Sequence, residues 1–417
     1  MFESAMNQAD DVRFFVEADY LPALSRLPGR KPLDEWNERD ATIIPVKSGL
    51  SRHVVRFVGT GSARFAIKET TVPTARKELE NYRNLLRLEL PTLSPAGIVV
   101  RDDGVDTVLT KVGTQRQQRE TAFLVTELME KVIPDSHLYR RGFSSVNRRR
   151  IWDAVIELFV KLHSSGVYWG DASLANMLIH FSTETVPELG YRTRLRAVLA
   201  DAETVEIHPS VSDLLRMADV EFFLESMLWT EADLRASGIV RDPIVTQEDQ
   251  RYLLSQYRDK FAVEQEMRSF ELVTHIDVER ALGNFDVKGY GRLLLQHISE
   301  HKWYISERMR REVPLREAAE DWYRTVFRPV CRVFSEHGLL EFFPEKTAAS
   351  LYVEIMEHKY FMSERQKRDV GLVAAVEDFC RRFAPQGPMQ MTIGSIIRAL
   401  KTVLTGSDPS VRNVYLA

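Results

Sequence analysis

Lys68 closes the apolar stretch Phe65-Ala66-Ile67-Lys68, and two acids, Glu78 and Glu80, follow it. Further along, Gly170-Asp171-Ala172-Ser173-Leu174-Ala175-Asn176 leads into the apolar run Met177-Leu178-Ile179, and Val198-Leu199-Ala200 delivers Asp201. Residue types in this order suit one chemistry. A lysine at a strand end reaches the phosphates of a nucleotide, but its flexible stem needs a carboxylate to hold it. Glu78 is the better partner, because Tyr82, Leu85 and Leu86 set it beside the face a helix would bury. Asp171 and Asn176 on one short loop pair a carboxylate that orients a hydroxyl and accepts its proton with an amide oxygen for a metal ion. Asp201 adds a second hard oxygen ligand, as Mg²⁺ prefers. In Thr126-Glu127-Leu128-Met129, backbone groups of Glu127 and Met129 are placed to hold an adenine edge. The expectation is phosphoryl transfer from ATP with Mg²⁺, with Asp171, Lys68 and Glu78 catalytic and Asn176 and Asp201 on the metal. No one of these signals suffices; their order carries the reading.

The elements needed to position them are legible in the same stretch. ATIIPV, HVVRFV and ARFAIKE are short, β-branched and separated by glycine turns, which predicts three antiparallel strands. Pro73-Thr74 opens a helix that runs to Pro91, and GIVVRDDG and AFLVTELM read as two more strands. A helix over Val146 to Ser165 precedes the Asp171 loop, and a strand hairpin around Met177 to Phe181 and Leu195 to Leu199 follows it. Residues 10–27 predict an amphipathic helix stopped by Pro28-Gly29, and residues 113–120 and 186–194 read as polar loops. Long amphipathic helices occupy the rest, with Leu315, Ala319, Trp322 and Val326 on one apolar face and Leu351, Ile355 and Met362 on another. No internal repeat is read. The fold class expected is α+β, kinase-like and bilobal, followed by an all-α domain. Its divisions are a helical extension (1–34), an N-lobe (35–130), a C-lobe (131–275) and a helical C-terminal domain (276–417).

A chain of 417 residues exceeds the roughly 250–300 at which one core stops growing. With 44% hydrophobic and 28% charged residues, it is neither fibrous nor wholly disordered. A formal charge of −4 leaves no global footprint for nucleic acid or an anionic membrane. The start MFESAMNQADD lacks a signal peptide's basic and apolar regions, and no apolar run is long enough for a membrane span, so the cytoplasm is the expected compartment. Cys331 and Cys380 lie far apart in apolar surroundings and read as buried thiols.

Lys68, Glu78, the Asp171 to Asn176 spacing and Asp201 resemble the core motifs of the protein-kinase-like fold. Residues 43 to about 225 are more closely similar to the bacterial lipopolysaccharide-kinase and aminoglycoside-phosphotransferase-like branch, where Trp-Gly-Asp stands for His-Arg-Asp. GLSRHVVRFV, WGDASLANML, LADAETVEIHP, HKWYISE and the pair Trp322-Tyr323 look like a bacterial family of uncharacterised function that joins this domain to a helical one. The resemblance implies a phosphate-covering loop at Lys47-Ser48-Gly49-Leu50-Ser51-Arg52, with Ser48, Gly49, Ser51 and Arg52 on the nucleotide and one glycine where protein kinases have three. Ser173 takes the place of a lysine that stabilises the transferred group, Asp-Ala-Glu replaces Asp-Phe-Gly, and no Ala-Pro-Glu segment follows. The acceptor expected is a hydroxyl on a small molecule, glycan, lipid-linked sugar or protein. Two rivals stay open: a pseudokinase that binds ATP and engages a protein partner through its C-terminal helices, and a kinase-like nucleotidyltransferase.

Other residues receive structural readings. His163 reads as a core histidine beneath the catalytic loop, and Asp219 as a brace for that loop's backbone. His297 and His301 read as an exposed polar face, Glu354 and His358 as a helical side-chain pair, and Arg148-Arg149-Arg150 as a solvated face. Trp303, Tyr304, Trp322 and Tyr323 are expected to pack the C-terminal core.

Overall fold

The computed structural model describes residues 11–39, 41–45, 54–61, 63–110, 113–140, 145–186, 190–278, 289–343, 346–383 and 389–405. Two compact units divide the chain, Met1–Arg258 and Asp259–Ala417.

In the first unit, β1 (Val12–Val16), β2 (Thr42–Ile43), β3 (Val55–Thr60), β4 (Ala63–Thr71), β5 (Pro95–Thr110) and β6 (Gly113–Glu127) form one antiparallel sheet in the order β1-β5-β6-β4-β3-β2. Val58, Phe65, Ile67, Phe123 and Val125 point to one face and are buried with Leu24, Leu33 and Trp36 of the N-terminal segment. Helix α2 (Val72–Arg87) begins where Thr71 accepts the Thr74 N–H and Pro73 sits in the first turn. It buries Ala75, Glu78, Leu79, Asn81, Tyr82 and Leu85.

The N-terminal segment departs from its expected helix. Val12–Val16 is a strand on the edge of β5, with Phe14 opposite Val99, and helix is confined to α1 (Leu21–Leu24). Pro22 and Pro28 leave no room for a longer helix, whereas the open edge of β5 supplies backbone partners. Residues 113–120 and most of 186–194 are also strand, not loop: β6 continues its ladder with β5, and β9 (Met177–Val186) pairs with β10 (Gly190–Leu199). A hairpin ladder propagates through polar residues because its hydrogen bonds are backbone ones.

After β7 (Val132–Pro134) and α3 (Asp135–Leu138), helix α4 (Ser145–Ser164) leads to β8 (Val167–Tyr168), β11 (Glu206–Ile207) pairs with β8, and α5 (Asp213–Ala236) and α6 (Gln247–Thr274) follow. Phe159 centres an aromatic cluster with His163, Trp169 and Phe223. Gly166, at φ +80°, ends α4 where a Cβ would lie 2.2 Å from the His208 carbonyl, so only glycine lets β11 close on this turn.

The second unit is helical. Its described helices after α6 are α7 (Tyr290–Met309), α8 (Leu315–Trp322), a π-helical turn over Tyr323–Phe327, α9 (Arg328–Glu336), a 3₁₀ turn over Leu339–Phe342, α10 (Ala348–Gln366), α11 (Gly371–Phe383) and α12 (Met389–Thr405). Trp322, Phe334, Tyr352 and Leu372 are among its buried core. Here the structure exposes a duplication that the sequence reading passes over. Residues 301–322 and 358–379 align at a constant offset, half of the positions are identical, and their interactions repeat. His301 bonds Asp321 at 2.8 Å and His358 bonds Asp378 at 2.8 Å. Lys302 pairs with Glu312 at 3.1 Å and Lys359 with Asp369 at 2.8 Å. The Ser306 hydroxyl accepts the Val313 N–H as Ser363 accepts that of Val370, and α7 and α10 both end on a left-handed residue, Arg310 and Lys367.

Several expectations for this unit are corrected. His297 and His301 are buried, Glu354 is bound by Tyr290 and Lys346 and not by His358, and Trp303 is 60% exposed while Trp322 fills the core. Cys331 and Cys380 are free thiols, and burial pushes both up in pKa, Cys380 to about 11.

Candidate active site

Lys68 does not end its strand as the sequence predicts: β4 stays paired with β6 through Thr71, and Lys68 lies opposite Val55 on β3 and Leu124 on β6. From there the Lys68 ammonium donates to Glu78 at 2.9 Å, Asp201 at 3.1 Å and Glu203 at 3.4 Å, one carboxylate for each of its N–H groups. Burial works against the charged ammonium, but Glu78 and Asp201 outweigh it and raise its pKa. Glu78 is 1% exposed, and burial together with the Asp201 charge lifts its carboxyl to about 7 despite Lys68. The three carboxylates lie within 4.8 Å of one another. Three acids around one ammonium leave an excess of negative charge that a divalent cation would offset.

Helix α2 is tied to the Asp201 segment by more than this ion cluster. The buried Asn81 amide donates to the carbonyls of Ala202 at 2.7 Å and Val205 at 3.1 Å. The Tyr82 hydroxyl lies 2.6 Å from the Ala200 carbonyl and 3.0 Å from Glu78. Burial drives the Tyr82 pKa far above the usual phenol value, so it stays a neutral hydroxyl that can donate.

The hairpin register brings the remaining groups together. Met177 on β9 faces Leu199 on β10, so Asn176 and Ala200 stand just outside that pair, and the Ala200 N–H donates to the Asn176 carbonyl at 2.9 Å. Asp201 is the next residue. The Asn176 side-chain amide donates to the Asp171 carbonyl at 3.0 Å, leaving its oxygen as the group that can face a cation.

The Asp171 loop is anchored from below. Asp219 of α5, 1% exposed, accepts the backbone N–H of Trp169 at 2.8 Å and of Gly170 at 2.8 Å, and His163 at 3.1 Å. His163 also lies 2.7 Å from the Tyr257 hydroxyl, and burial lowers its pKa although Asp219 opposes that shift. Gly170 has φ +81°, a conformation in which a side chain is strained. The Trp169 indole donates to the Asp201 carbonyl at 2.9 Å and the Thr204 hydroxyl to the Trp169 carbonyl at 2.7 Å.

At the strand-to-loop transition, the Glu127 N–H donates to Ser94 at 2.8 Å and that of Leu128 to Arg64 at 2.9 Å. The Glu127 carbonyl is then its remaining backbone candidate for a base edge. The Glu127 side chain accepts the Tyr20 hydroxyl at 2.5 Å, which with burial raises the Tyr20 pKa to about 12. Ser48, Gly49, Ser51 and Arg52 lie outside the described residues.

The structure thus assembles Lys68, Glu78 and Asp201 in one cluster and joins Asp171, Asn176 and Asp201 through the backbone. Sequence reasoning assigned no role to Glu203, Asn81 or Thr204. The signal available for Glu203 was an acid where Asp-Phe-Gly ends in glycine; nothing local marks Asn81.

Beside this loop, Asp135 is fully buried at the start of α3, and among the causes of its pKa shift no cation offsets its charge. Burial raises its pKa to about 8, offset only in part by the Tyr139 hydroxyl, so it is a neutral acid at pH 7. Because the folded pKa exceeds the unfolded one, its contribution to stability is complete below pH 4 and is lost as the pH rises towards 8. Asp135→Asn should therefore gain stability over the wild type between pH 5 and 8, by up to about 1.4 kcal/mol per pH unit. A difference in denaturant midpoint that does not change with pH would contradict this.

Residues 31–201 match the model of the lipopolysaccharide kinase (Kdo/WaaP) family, and residues 318–383 match a domain of unknown function, DUF4032. No curated protein matches the chain. Among solved structures, WaaP in complex with acyl carrier protein is similar at 16% identity and a TM-score of 0.37, over 62% of this chain and 92% of that one. The Rio2 kinase from Chaetomium thermophilum, as its ADP/Mg²⁺-phosphoaspartate complex, is similar at 13% identity and 0.29, over 69% and 73%. An aminoglycoside-3'-phosphotransferase of type VIII is similar at 16% identity and 0.31, over 58% and 100%. The chain has a kinase-like α+β fold, with a small antiparallel sheet and one helix before a mainly helical part. Among the described residues no helix is long and apolar enough to cross a membrane.

Proposed function

We propose that the first unit is a phosphotransferase that moves the γ-phosphoryl group of ATP to a hydroxyl acceptor. The observation that carries this reading is the Lys68 ammonium held at 2.9 Å by the buried Glu78 and at 3.1 Å by Asp201. A lysine pinned in this way is pre-organised to meet phosphate oxygens, and the arriving phosphates take over the N–H groups now aimed at Asp201 and Glu203. Asp171 orients the acceptor hydroxyl and receives its proton as the new O–P bond forms and the bond to the ADP oxygen breaks. Backbone groups at Glu127 and Met129 meet the adenine.

The donor set suits Mg²⁺: Asn176 offers an amide oxygen and Asp201 a carboxylate, both hard ligands, with Glu203 adjacent. When bound, the ion supplies positive charge that neutralises the phosphate oxygens. Asn81 and Tyr82 hold the Asp201 segment against α2, so the Lys68–Glu78 pair and the metal-binding aspartate are assembled without a phosphorylated loop.

The deciding experiment is incubation of the full chain with Mg²⁺ and ATP labelled separately at the γ- and α-phosphate, in the presence of a cell lysate. Transfer of γ label supports the proposal. Transfer of α label would replace it with nucleotidyl transfer, and transfer of neither would leave a nucleotide-binding module.

ATP with Mg²⁺ should also raise the thermal midpoint, since a ligand that binds only the folded state at ten times its Kd stabilises it by about 1.4 kcal/mol. Asp201→Asn should shrink the part of that shift that depends on Mg²⁺. No shift at millimolar nucleotide, with no heat of binding by calorimetry, would contradict the nucleotide site itself.

A further inference from the structure

We propose that the second unit carries a binding site for a small organic amine, in a cavity between α7 and α10 where the two repeats meet. The cavity measures about 430 Å³, within the range of small-molecule sites. Glu300 on α7 and Glu357 on α10 both line it, and each stands immediately before its copy of the repeat, at the same offset. The duplication has therefore brought two copies of one acid to a single space.

The charge balance selects the ligand. Lys359 also lines the cavity, but Asp369 neutralises it at 2.8 Å. Glu300 is approached by the uncharged Gln296 amide at 3.1 Å. The two glutamates thus leave the cavity net negative. His297 adds a further acceptor: it is 7% exposed, lines the cavity, and its Nδ1 is buried without a hydrogen-bond partner. Burial, and then the Lys359 charge, hold its pKa at about 4, so the ring is neutral at physiological pH. A neutral imidazole offers a lone pair. Two carboxylates and an imidazole call for a cation that carries N–H donors and disfavour an anion.

A bare metal ion fits less well. Among the described residues, the cluster whose side chains come close enough to share an ion is Glu78, Asp201 and Glu203, in the other unit. Tyr360 and Phe361 at the cavity wall are each 56% exposed, with ring centroids 5.8 Å apart, and offer apolar and π surface to the body of an organic cation. The alignment supplies a parallel within the chain. At the same offset before the second repeat, Glu354 takes the place that His297 has before the first, and it binds the ammonium of Lys346.

Calorimetric titration of the full chain with phenethylammonium, phenylacetate and 2-phenylethanol tests the assignment. The ammonium compound should bind saturably, and the carboxylate and the alcohol should not. Glu357→Gln should weaken binding about three-fold and the Glu300→Gln/Glu357→Gln pair about ten-fold, the scale of partly exposed ion pairs. Both glutamates are exposed, so folding should survive; Phe361→Ala, which should also weaken binding, provides a variant free of charge effects. Absence of saturable binding at millimolar amine, equal binding of the carboxylate, or undiminished affinity in the double variant would each overturn the proposal. The last result would place the amine at another acidic surface.

Discussion

Asp171→Ala should lower phosphoryl-transfer turnover by roughly 10²-fold or more while leaving ATP affinity within a few-fold. In the proposed mechanism Asp171 acts on the acceptor hydroxyl, whereas the nucleotide is held by Lys68 and the groups around Asp201. Lys68→Ala should instead weaken nucleotide binding as well as turnover, and it leaves Glu78 buried without its cation. Steady-state rates and calorimetric Kd values on the same preparations separate the two. A cellular phenotype that survives Asp171→Ala but not Lys68→Ala would sink catalysis and favour the pseudokinase reading. If both variants lost ATP binding equally, the assignment of Asp171 to the acceptor side would be wrong.

Asp219→Ala should destabilise the chain by about 3 kcal/mol or more. The substitution strips acceptors from the Trp169 and Gly170 N–H groups and from His163, all at 3.1 Å or less, in a buried setting. Each buried donor left without a partner costs about 1–3 kcal/mol. Asp219→Asn, which keeps an acceptor oxygen, should cost less. Since those amides immediately precede Asp171, the alanine variant should also lose turnover under conditions where it remains folded. Denaturant unfolding measures the first effect, and a loss below about 1 kcal/mol would mean that water or a shifted loop satisfies the amides.

Much of the site was legible along the chain because its chemistry dictates side-chain type at definite places. A lysine on β4, an aspartate and an asparagine on one loop and an aspartate just past β10 are visible as residues after apolar runs, and the runs predict the strands. Glu78 was chosen over Glu80 from helical spacing alone, and it is the carboxylate at 2.9 Å from Lys68. Asp219 and His163 were read as supports for the catalytic loop and bond each other beneath it. Local signals failed where a segment's partner lay elsewhere. Val12–Val16 has a pattern that suits a helix face as well as a strand, and the free edge of β5 decided between them. Trp303 and Trp322 are alike in type, yet one is exposed and the other buried, since burial depends on which helix face meets the core.

Residue order, apolar periodicity and the chemistry of a few polar side chains were enough to set out the kinase-like fold, the Lys68–Glu78 pairing and the loop from Asp171 to Asn176. They act over one strand, one turn or one loop, within reach of sequence spacing. The third acid at Lys68, the Asn81 and Tyr82 ties to the Asp201 segment and the shared cavity of the two repeats emerged only in three dimensions. Lys68 and Glu203 meet across more than a hundred residues, Glu300 and Glu357 line one cavity from two helices, and hairpin register and core packing place them. The duplication is hard to see along the chain because half of its positions differ, Trp303, Tyr304 and Ile305 standing against Tyr360, Phe361 and Met362; it shows in three dimensions, where the His–Asp, Lys–acid and Ser–backbone bonds recur in both copies.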